Sequence, residues 1–483
     1  MFKIIGLSFF LSIGFLFQAF AQQPMEAKDI SLPLPSKEIW QNGVVNFGQC
    51  SFSPRYHSVT QDSEAHRNGL TISCLLTTKN NGIVSLWVDD ISAQGQYTHN
   101  RSIPKPYHLL LSFTDGKTIF FKNRPNPASI VAINGQGNQL WEYLLKHQSL
   151  TAMVTQDISV IEVQDGFVIA YYDPKMPVKS LGTAENGYDD THIQVMVEKI
   201  DSQGRIVYAN SVPFLIDATT RVLKQAGRAI QIWPLQNGEY AISLQSHSLS
   251  KTNETNEQPH LTYQMIIFNP DGTHKSHFEV FLKGAATQGG PKLLIDRDGN
   301  FLSLNYGHPS TQSWLLPNQL QLSLYDQKGQ KKWDYQIPVD QPKNGRAACL
   351  TWDMVLTPDN NYLVLCQQRF YINYWVRDTN YDKMWAIVLD KDGRELERLP
   401  ILQDQLIKSV YKIISSDDNG YIITSSFLDN QLMISVNNYS NLVGNPPAVL
   451  TFEEWQKQQD QGKQATISAV LGTRLFVIPW PKN

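Results

Sequence analysis

Two series of glycine turns alternate along this chain, and they constrain its fold more than any other feature. The first series sets Asn or Asp before Gly or Asn, ahead of an apolar strand. Its copies are Asn68-Gly69, Asp115-Gly116, Asp165-Gly166, Asn237-Gly238, Asp298-Gly299, Asn360-Asn361 and Asn419-Gly420. The second sets a polar residue three positions before Gly, after an apolar strand. It begins at Ser92, Asn134, Asp201, Asn269, Asp326 and Asp390, with a degraded copy near Asn437-Asn438. A two-residue turn between adjacent strands needs positive φ, which Gly, Asn and Asp adopt at least cost. The fullest copy, Leu293 to Ile337, therefore reads as four short strands: LLI, FLSLNY, LQLSLY and KKWDYQI. A lone four-stranded sheet cannot bury both faces, so each copy must stack on others.

These copies predict an all-β chain forming a single β-propeller of four-stranded blades, seven in number, with six or eight as alternatives. They average roughly 65 residues, against about 40–45 for a compact propeller repeat. The surplus falls between second and third strands, at Tyr172–Thr191, Ser246–His260, Tyr306–Gln319 and Gln368–Lys383. In a radial arrangement both short turns share one rim, and the long connections and unit-to-unit crossovers share the other. Function concentrates on loops held by a rigid scaffold, so the elaborated rim is the expected binding side. Gly43–Phe52 either opens the first unit or donates the outer strand of the last. The C-terminal runs ATISAVL and RLFVIPW compete for that outer place, and Glu453–Gln461 reads as a short helix or loop.

The first residues have the form of an export leader: Lys3, an apolar stretch Ile4 to Phe17, and the small-x-small site Ala19-Phe20-Ala21. The expected organisation is 1–21 signal peptide, 22–42 extended segment and 43–483 propeller. No Cys flanks the cleavage site, and later apolar runs are shorter than the roughly 18–20 residues of a membrane helix. The expected product is a periplasmic or secreted monomer with no membrane span. A net charge of −3 without basic clusters gives no footprint for nucleic acid. All four cysteines follow the leader. Cys349 and Cys366 flank the turn at Pro358–Asn361 and are expected nearly opposite each other, close enough to bridge. By elimination Cys50 pairs with Cys74; buried free thiols are the alternative.

Two copies carry a sharper pattern. Asn134, Gly137 and Trp141, like Asp326, Gly329 and Trp333, spell polar-x-x-Gly-x-x-x-Trp, and Asp201, Gly204 and Tyr208 follow it with Tyr. This resembles the tryptophan-docking repeat of the pyrroloquinoline-quinone-like and WD40-like propeller superfamily. The resemblance implies a Trp wedged between neighbouring blades, and no activity. The adjacent cysteines usual in quinoprotein dehydrogenases are absent, as are sialidase-type Ser-x-Asp-x-Gly-x-Thr-Trp boxes, so no cofactor is expected.

The acidic turns Asp296/Asp298, Asp390/Asp392 and Asp417/Asp418 offer two or three oxygens each, whereas calcium takes six to eight. They read as turn chemistry, and no metal is expected. His274 and His277 are an odd number apart on a strand and should face opposite sides. His308 opens a loop of the elaborated rim. The richest loop, QRFYINYWVRDTNYDK, brings Tyr371, Tyr374, Trp375 and Arg377 together, with Trp314 nearby in the preceding unit. Trp, Tyr and Arg dominate binding hot spots; a private mini-core that holds the loop down is the alternative. The expected function is non-catalytic binding or scaffolding of a protein or glycan partner in the cell envelope. The competing class is a glycan hydrolase or lyase, with carboxylates and His308 converging on the central channel.

Overall fold

The computed structural model describes residues 28–30, 45–56, 67–78, 84–94, 98, 101–104, 107–122, 128–146, 158–172, 194–213, 221–250, 260–282, 293–307, 319–339, 346–371, 383–402, 421–438 and 473–480. After β1 (Lys28–Ile30) come β2 (Val45–Tyr56), β3 (Arg67–Thr78), β4 (Val84–Ile91) and β5 (Arg101–Pro104), then β6 (Tyr107–Phe113), β7 (Thr118–Lys122), β8 (Ser129–Ile133) and β9 (Gln139–Leu144). The next two groups are β10 (Ile158–Val163), β11 (Gly166–Tyr172), β12 (Gln194–Asp201), β13 (Ile206–Pro213), and β14 (Arg221–Pro234), β15 (Tyr240–Ser250), β16 (His260–Phe268), β17 (His274–Leu282). Then follow β18 (Leu293–Ile295), β19 (Phe301–Gly307), β20 (Gln319–Tyr325), β21 (Lys331–Gln336), and β22 (Arg346–Leu356), β23 (Tyr362–Tyr371), β24 (Lys383–Leu389), β25 (Glu395–Leu402). The last are β26 (Tyr421–Leu428), β27 (Gln431–Asn438) and β28 (Thr473–Pro479). No helix among the described residues is long and apolar enough to cross a membrane.

Strands β10–β13, β14–β17, β18–β21 and β22–β25 each form a four-stranded antiparallel sheet in sequence order. Strands β2–β9 form one eight-stranded sheet, which divides where β2 and β6 touch in parallel at Arg55↔Ser112 and Tyr56↔Phe113. The last sheet, ordered β26-β27-β28-β1, takes its outer strand from the other end of the chain. Antiparallel order puts first-to-second and third-to-fourth connections at one end of every sheet and second-to-third connections at the other. Consecutive sheets share apolar cores. Phe113, Trp141 and Tyr143 meet Ile158, Phe167 and Tyr171, and Leu302, Leu322 and Leu324 meet Met354, Tyr362 and Ile387. Leu363 and Ile387 lie on opposite faces of their sheet, and Leu363 joins Leu432, Phe476 and Trp480 in the next core. The last sheet reaches back to the first through β26 and β3. Sheets packed face to face in sequence, last onto first, make a propeller-type fold.

The second turn series is built as its residues dictate. In the Asp326 copy, Gly329 donates its N–H to the Asp326 carbonyl at 3.0 Å, and Asp326 Oδ1 accepts from Lys328 and Gln330 N–H, both at 2.8 Å. Asn134, Asp201 and Asp390 cap their turns in the same way. A β-bulge follows each of these turns. Register jumps between Ala132 and Ile133 opposite β9, leaving Leu140 unpaired, and Val207, Lys275, Lys332 and Leu396 are left over at the matching places. The extra residue resets parity, so Trp141 and Tyr143 face the neighbouring sheet while Leu140 points outward.

Several expectations are corrected. Asn68-Gly69 is not a hairpin turn. Both residues lie inside β3, where Pro54 pairs with Leu70 and Tyr56 with Arg67, so Gly69 uses its φ of +89° to form a bulge opposite Arg55. In the last sheet the hairpin turns at Asp429-Asn430, with φ of 50° and 55°, and Asn437-Asn438 ends β27; Asn419-Gly420 lies outside the described residues. Most of Gly43–Phe52 falls in β2, RLFVIPW supplies the third strand of the last sheet, and Lys28–Ile30 takes the outer place. ATISAVL and Glu453–Gln461 lie outside the described residues. Cys349 sits opposite Gln368 and Cys366 opposite Thr351, a diagonal two residues out of register, whereas Cys50 and Cys74 are directly opposed. The bulge at Lys275 also cancels the histidine parity argument. His274 and His277 pair with Phe268 and Ile266, same-face positions, and His274 meets the Phe268 ring edge-on at 6.2 Å.

Candidate functional site

Tyr371 is the last residue of β23, paired with Arg346. His308, Trp314, Tyr374, Trp375 and Arg377 lie outside the described residues. Their connections leave adjacent sheets at matching places. The hairpin carrying His308 and Trp314 closes on Gly307↔Gln319, and the one carrying Trp375 on Gln368↔Lys383. Both are second-to-third connections, so both leave at the end opposite the Asp298-Gly299 and Asn360-Asn361 turns.

Buried charge gathers along the inner strands where the ring closes. A bulge at Trp352 sets Asp353 on β22, nearly buried, against the edge of β26. Its Oδ2 accepts the Ser425 N–H at 2.7 Å and the Ser425 hydroxyl at 2.8 Å, and meets Arg67 Nη1 at 3.0 Å. Arg67 Nη1 also donates to the Ser425 carbonyl at 3.1 Å. Burial works against the guanidinium charge, but Asp353 and Tyr56 outweigh it and raise the Arg67 pKa above its ordinary value. Beside this group, Arg55 donates from Nε to the Asn68 carbonyl at 3.0 Å and places Nη1 3.7 Å from Asp90 Oδ2. Thr71 Oγ1 donates to Asp90 Oδ1 at 2.7 Å, and Ser112 of β6 joins them at 2.8 Å from Thr71. Each aspartate thus holds an arginine and hydroxyl groups of another strand or sheet. The arrangement couples sheets.

The remaining buried carboxylates do similar work. Glu198 on β12 accepts the Tyr143 hydroxyl from the preceding sheet at 2.8 Å and the Tyr171 hydroxyl at 2.7 Å. Burial, then the hydrogen bond to Glu198, pushes the Tyr143 pKa well above the usual phenol value. Asp296 accepts Asn300 N–H at 2.7 Å, Asn300 Nδ2 at 2.8 Å and the Tyr362 hydroxyl of the next sheet, so it closes a turn and a sheet interface together. Lys117 pairs with Glu162 across another interface while lying over the Phe113 and Phe167 rings. No group of three or more metal-ligating side chains occurs among the described residues.

The docking aromatics lie where the resemblance implies, with additions. Trp141 packs at a tilt against Phe167, with ring centres 5.3 Å apart, and fills the space over Gly204, and Trp333 meets Tyr362 at 5.9 Å over Gly393. Tyr208 reaches the Tyr240 hydroxyl at 2.8 Å over Gly272, and Phe278 meets Phe301 at 5.4 Å over Gly329. The aromatic receptors Phe167, Tyr240, Phe301 and Tyr362 each follow a first-series turn, a regularity present in the sequence at FVIAYY, EYAISL, NFLSL and YLVLC. By contrast, Arg67 and Asp353 had no signal, being 286 positions apart.

No family model and no curated protein matches this chain. Solved structures do. The β-propeller domain of the Trilobed protease from Pyrococcus furiosus, described as having an open velcro topology, is 9% identical over 84% of this chain and 97% of that one, with a TM-score of 0.41. The α-L-arabinofuranosidase Arb93A from Fusarium graminearum is 8% identical over 76% and 98%, with a TM-score of 0.38. Prolyl oligopeptidase B from Galerina marginata is 10% identical over 83% of this chain and 50% of that one, with a TM-score of 0.34.

Proposed function

We propose that this chain is an exported, seven-bladed β-propeller that acts as a non-catalytic binding or scaffold protein, engaging a protein or glycan partner of the cell envelope through one rim. The observation that carries this reading is a division of labour. The described buried carboxylates bind residues of neighbouring strands and sheets, and the longest second-to-third connections all leave the sheets at one end. A rigid ring with one elaborated rim suits capture better than turnover. The leader over residues 1–21 and the four cysteines belong to the same reading. The direct opposition of Cys50 and Cys74 supports one cross-strand bridge, and the same-face diagonal of Cys349 and Cys366 supports a second.

His308, Trp314, Tyr371, Tyr374, Trp375 and Arg377 are assigned as the contact residues. The test compares wild type with Trp375→Ala and Arg377→Ala on a glycan array and in cross-linking to purified envelope fractions. Loss of a captured partner by ten-fold or more, at unchanged melting temperature, is expected. Hydrolysis or elimination products from a glycan panel would instead favour the enzyme reading. Equal capture by all three proteins would remove the assigned contact surface.

A further inference from the structure

The ring has two joints where its ends meet, and they differ in kind. On the outside, β1 adds to β28 through three residue pairs: Lys28↔Val477, Asp29↔Phe476 and Ile30↔Leu475. On the inside, the free edge of β26 is gripped by side chains from the sheets on both sides. Asp353 comes from the preceding sheet and takes the Ser425 N–H and hydroxyl; Arg67 comes from the following sheet and takes the Ser425 carbonyl. Arg67 and Asp353 also meet each other at 3.0 Å, and Gly69 N donates to Ser426 Oγ one residue further along at 3.0 Å. A buried strand edge needs partners for both its N–H and C=O groups. Here an ion pair supplies them in place of a strand.

We infer that the Arg67–Asp353 pair is the fastener that holds the ring shut, and that β1 is an outer cover that can be lifted without opening it. Three features lead there. The pair joins three sheets at one point, whereas β1 touches one edge of one sheet. Its side chains are 23% and 9% exposed, so salt and water screen it little. Its hydrogen bonds are charge-assisted, the stronger class, while a three-residue edge pairing is the kind of contact that frays first.

Hydrogen exchange of the full-length protein, read by mass spectrometry over separate segments, tests this. Asp29→Pro removes an N–H from β1 and breaks its pairing. Exchange should rise in β1 and β28 only, with residues 421–428 and 67–72 protected as in wild type. Arg67→Met should raise exchange at 421–428 and 67–72 by ten-fold or more, with 194–201 and 240–244 unchanged. A single removal leaves a buried charge unpaired, which could itself disrupt folding; Arg67→Met/Asp353→Leu therefore takes out both charges. That double variant should still expose the β26 edge, because Ser425 has lost both partners. Wild-type protection of 421–428 in the double variant would overturn the inference. So would an Asp29→Pro protein that opens 421–428 and 67–72 as far as Arg67→Met does.

Discussion

Single residues in this protein are chosen twice over, once for local backbone and once for the sheet next door. Gly137 and Gly204 occupy the same turn position, with φ of +85° and +78°. A Cβ on Gly137 would meet nothing within 4 Å, while one on Gly204 would lie 3.0 Å from the Trp141 ring. Gly137→Ala therefore isolates the backbone cost, about 1–2 kcal/mol for a left-handed non-glycine residue. Gly204→Ala should cost more, because Trp141 must move off its seat against Phe167 as well. Denaturant melts of the two variants check this; equal losses would mean the ring does not need the glycine. The sequence makes the first requirement plain, since the spacing of the turn announces positive φ. The second depends on how adjacent sheets slide over each other, which no local pattern records. For the same reason Phe278, two positions beyond the expected docking place, was not legible.

At the level of elements, the bulge is what makes each outer strand work. Leu140, Val207 and Leu396 are 52%, 55% and 53% exposed, and each is the unpaired bulge residue, whose counterparts are Lys275 and Lys332. The exposure of these three side chains therefore follows from backbone geometry and needs no partner to explain it. Because two counterparts are already lysine, Val207→Lys should change stability by no more than about 0.5 kcal/mol, as for other exposed sites. Deleting Val207 is a different perturbation. It would close the bulge with Ile206 still opposite Ile200 and Tyr208 still opposite Lys199, and would remove the extra local twist that a bulge supplies. Because Tyr208 keeps its partner, the loss should exceed that of the substitution but stay below the cost of truncating a buried aromatic, about 3–5 kcal/mol. Thermal melts of both proteins measure it. A deletion as costly as losing the aromatic would show that the twist of the bulge, and not pairing alone, seats Tyr208 against Tyr240. Strand order was readable from alternating glycine turns because hairpins are local. Where a glycine formed a bulge, as at Gly69, or a turn had no glycine, as at Asp429-Asn430, the same signal misled.

Over the whole molecule, the residues that matter most for closure are those a sequence hides best. Aromatic and arginine side chains crowded into residues 368–383 were conspicuous because they are neighbours in the chain. Arg67, Asp353 and Ser425 become neighbours only when the ring shuts. The same separation orders the folding reaction. Sheets β10–β13, β14–β17, β18–β21 and β22–β25 each form from one continuous stretch, whereas the last sheet must bring Lys28–Ile30 to Leu475–Val477. Closing so long a loop precedes any reward from its contacts, which makes such pairings slow and late. An interaction formed after the rate-limiting step alters unfolding and leaves folding alone. Asp29→Pro should then leave the main refolding rate within a factor of two of wild type. Its unfolding should quicken by roughly 5–30-fold, if the three lost pairs are worth about 1–2 kcal/mol. Stopped-flow fluorescence after denaturant jumps in both directions separates the two rates. Slower refolding with unchanged unfolding would place the N-terminal strand in the nucleus, and the ring would have to assemble from its two ends rather than close on them.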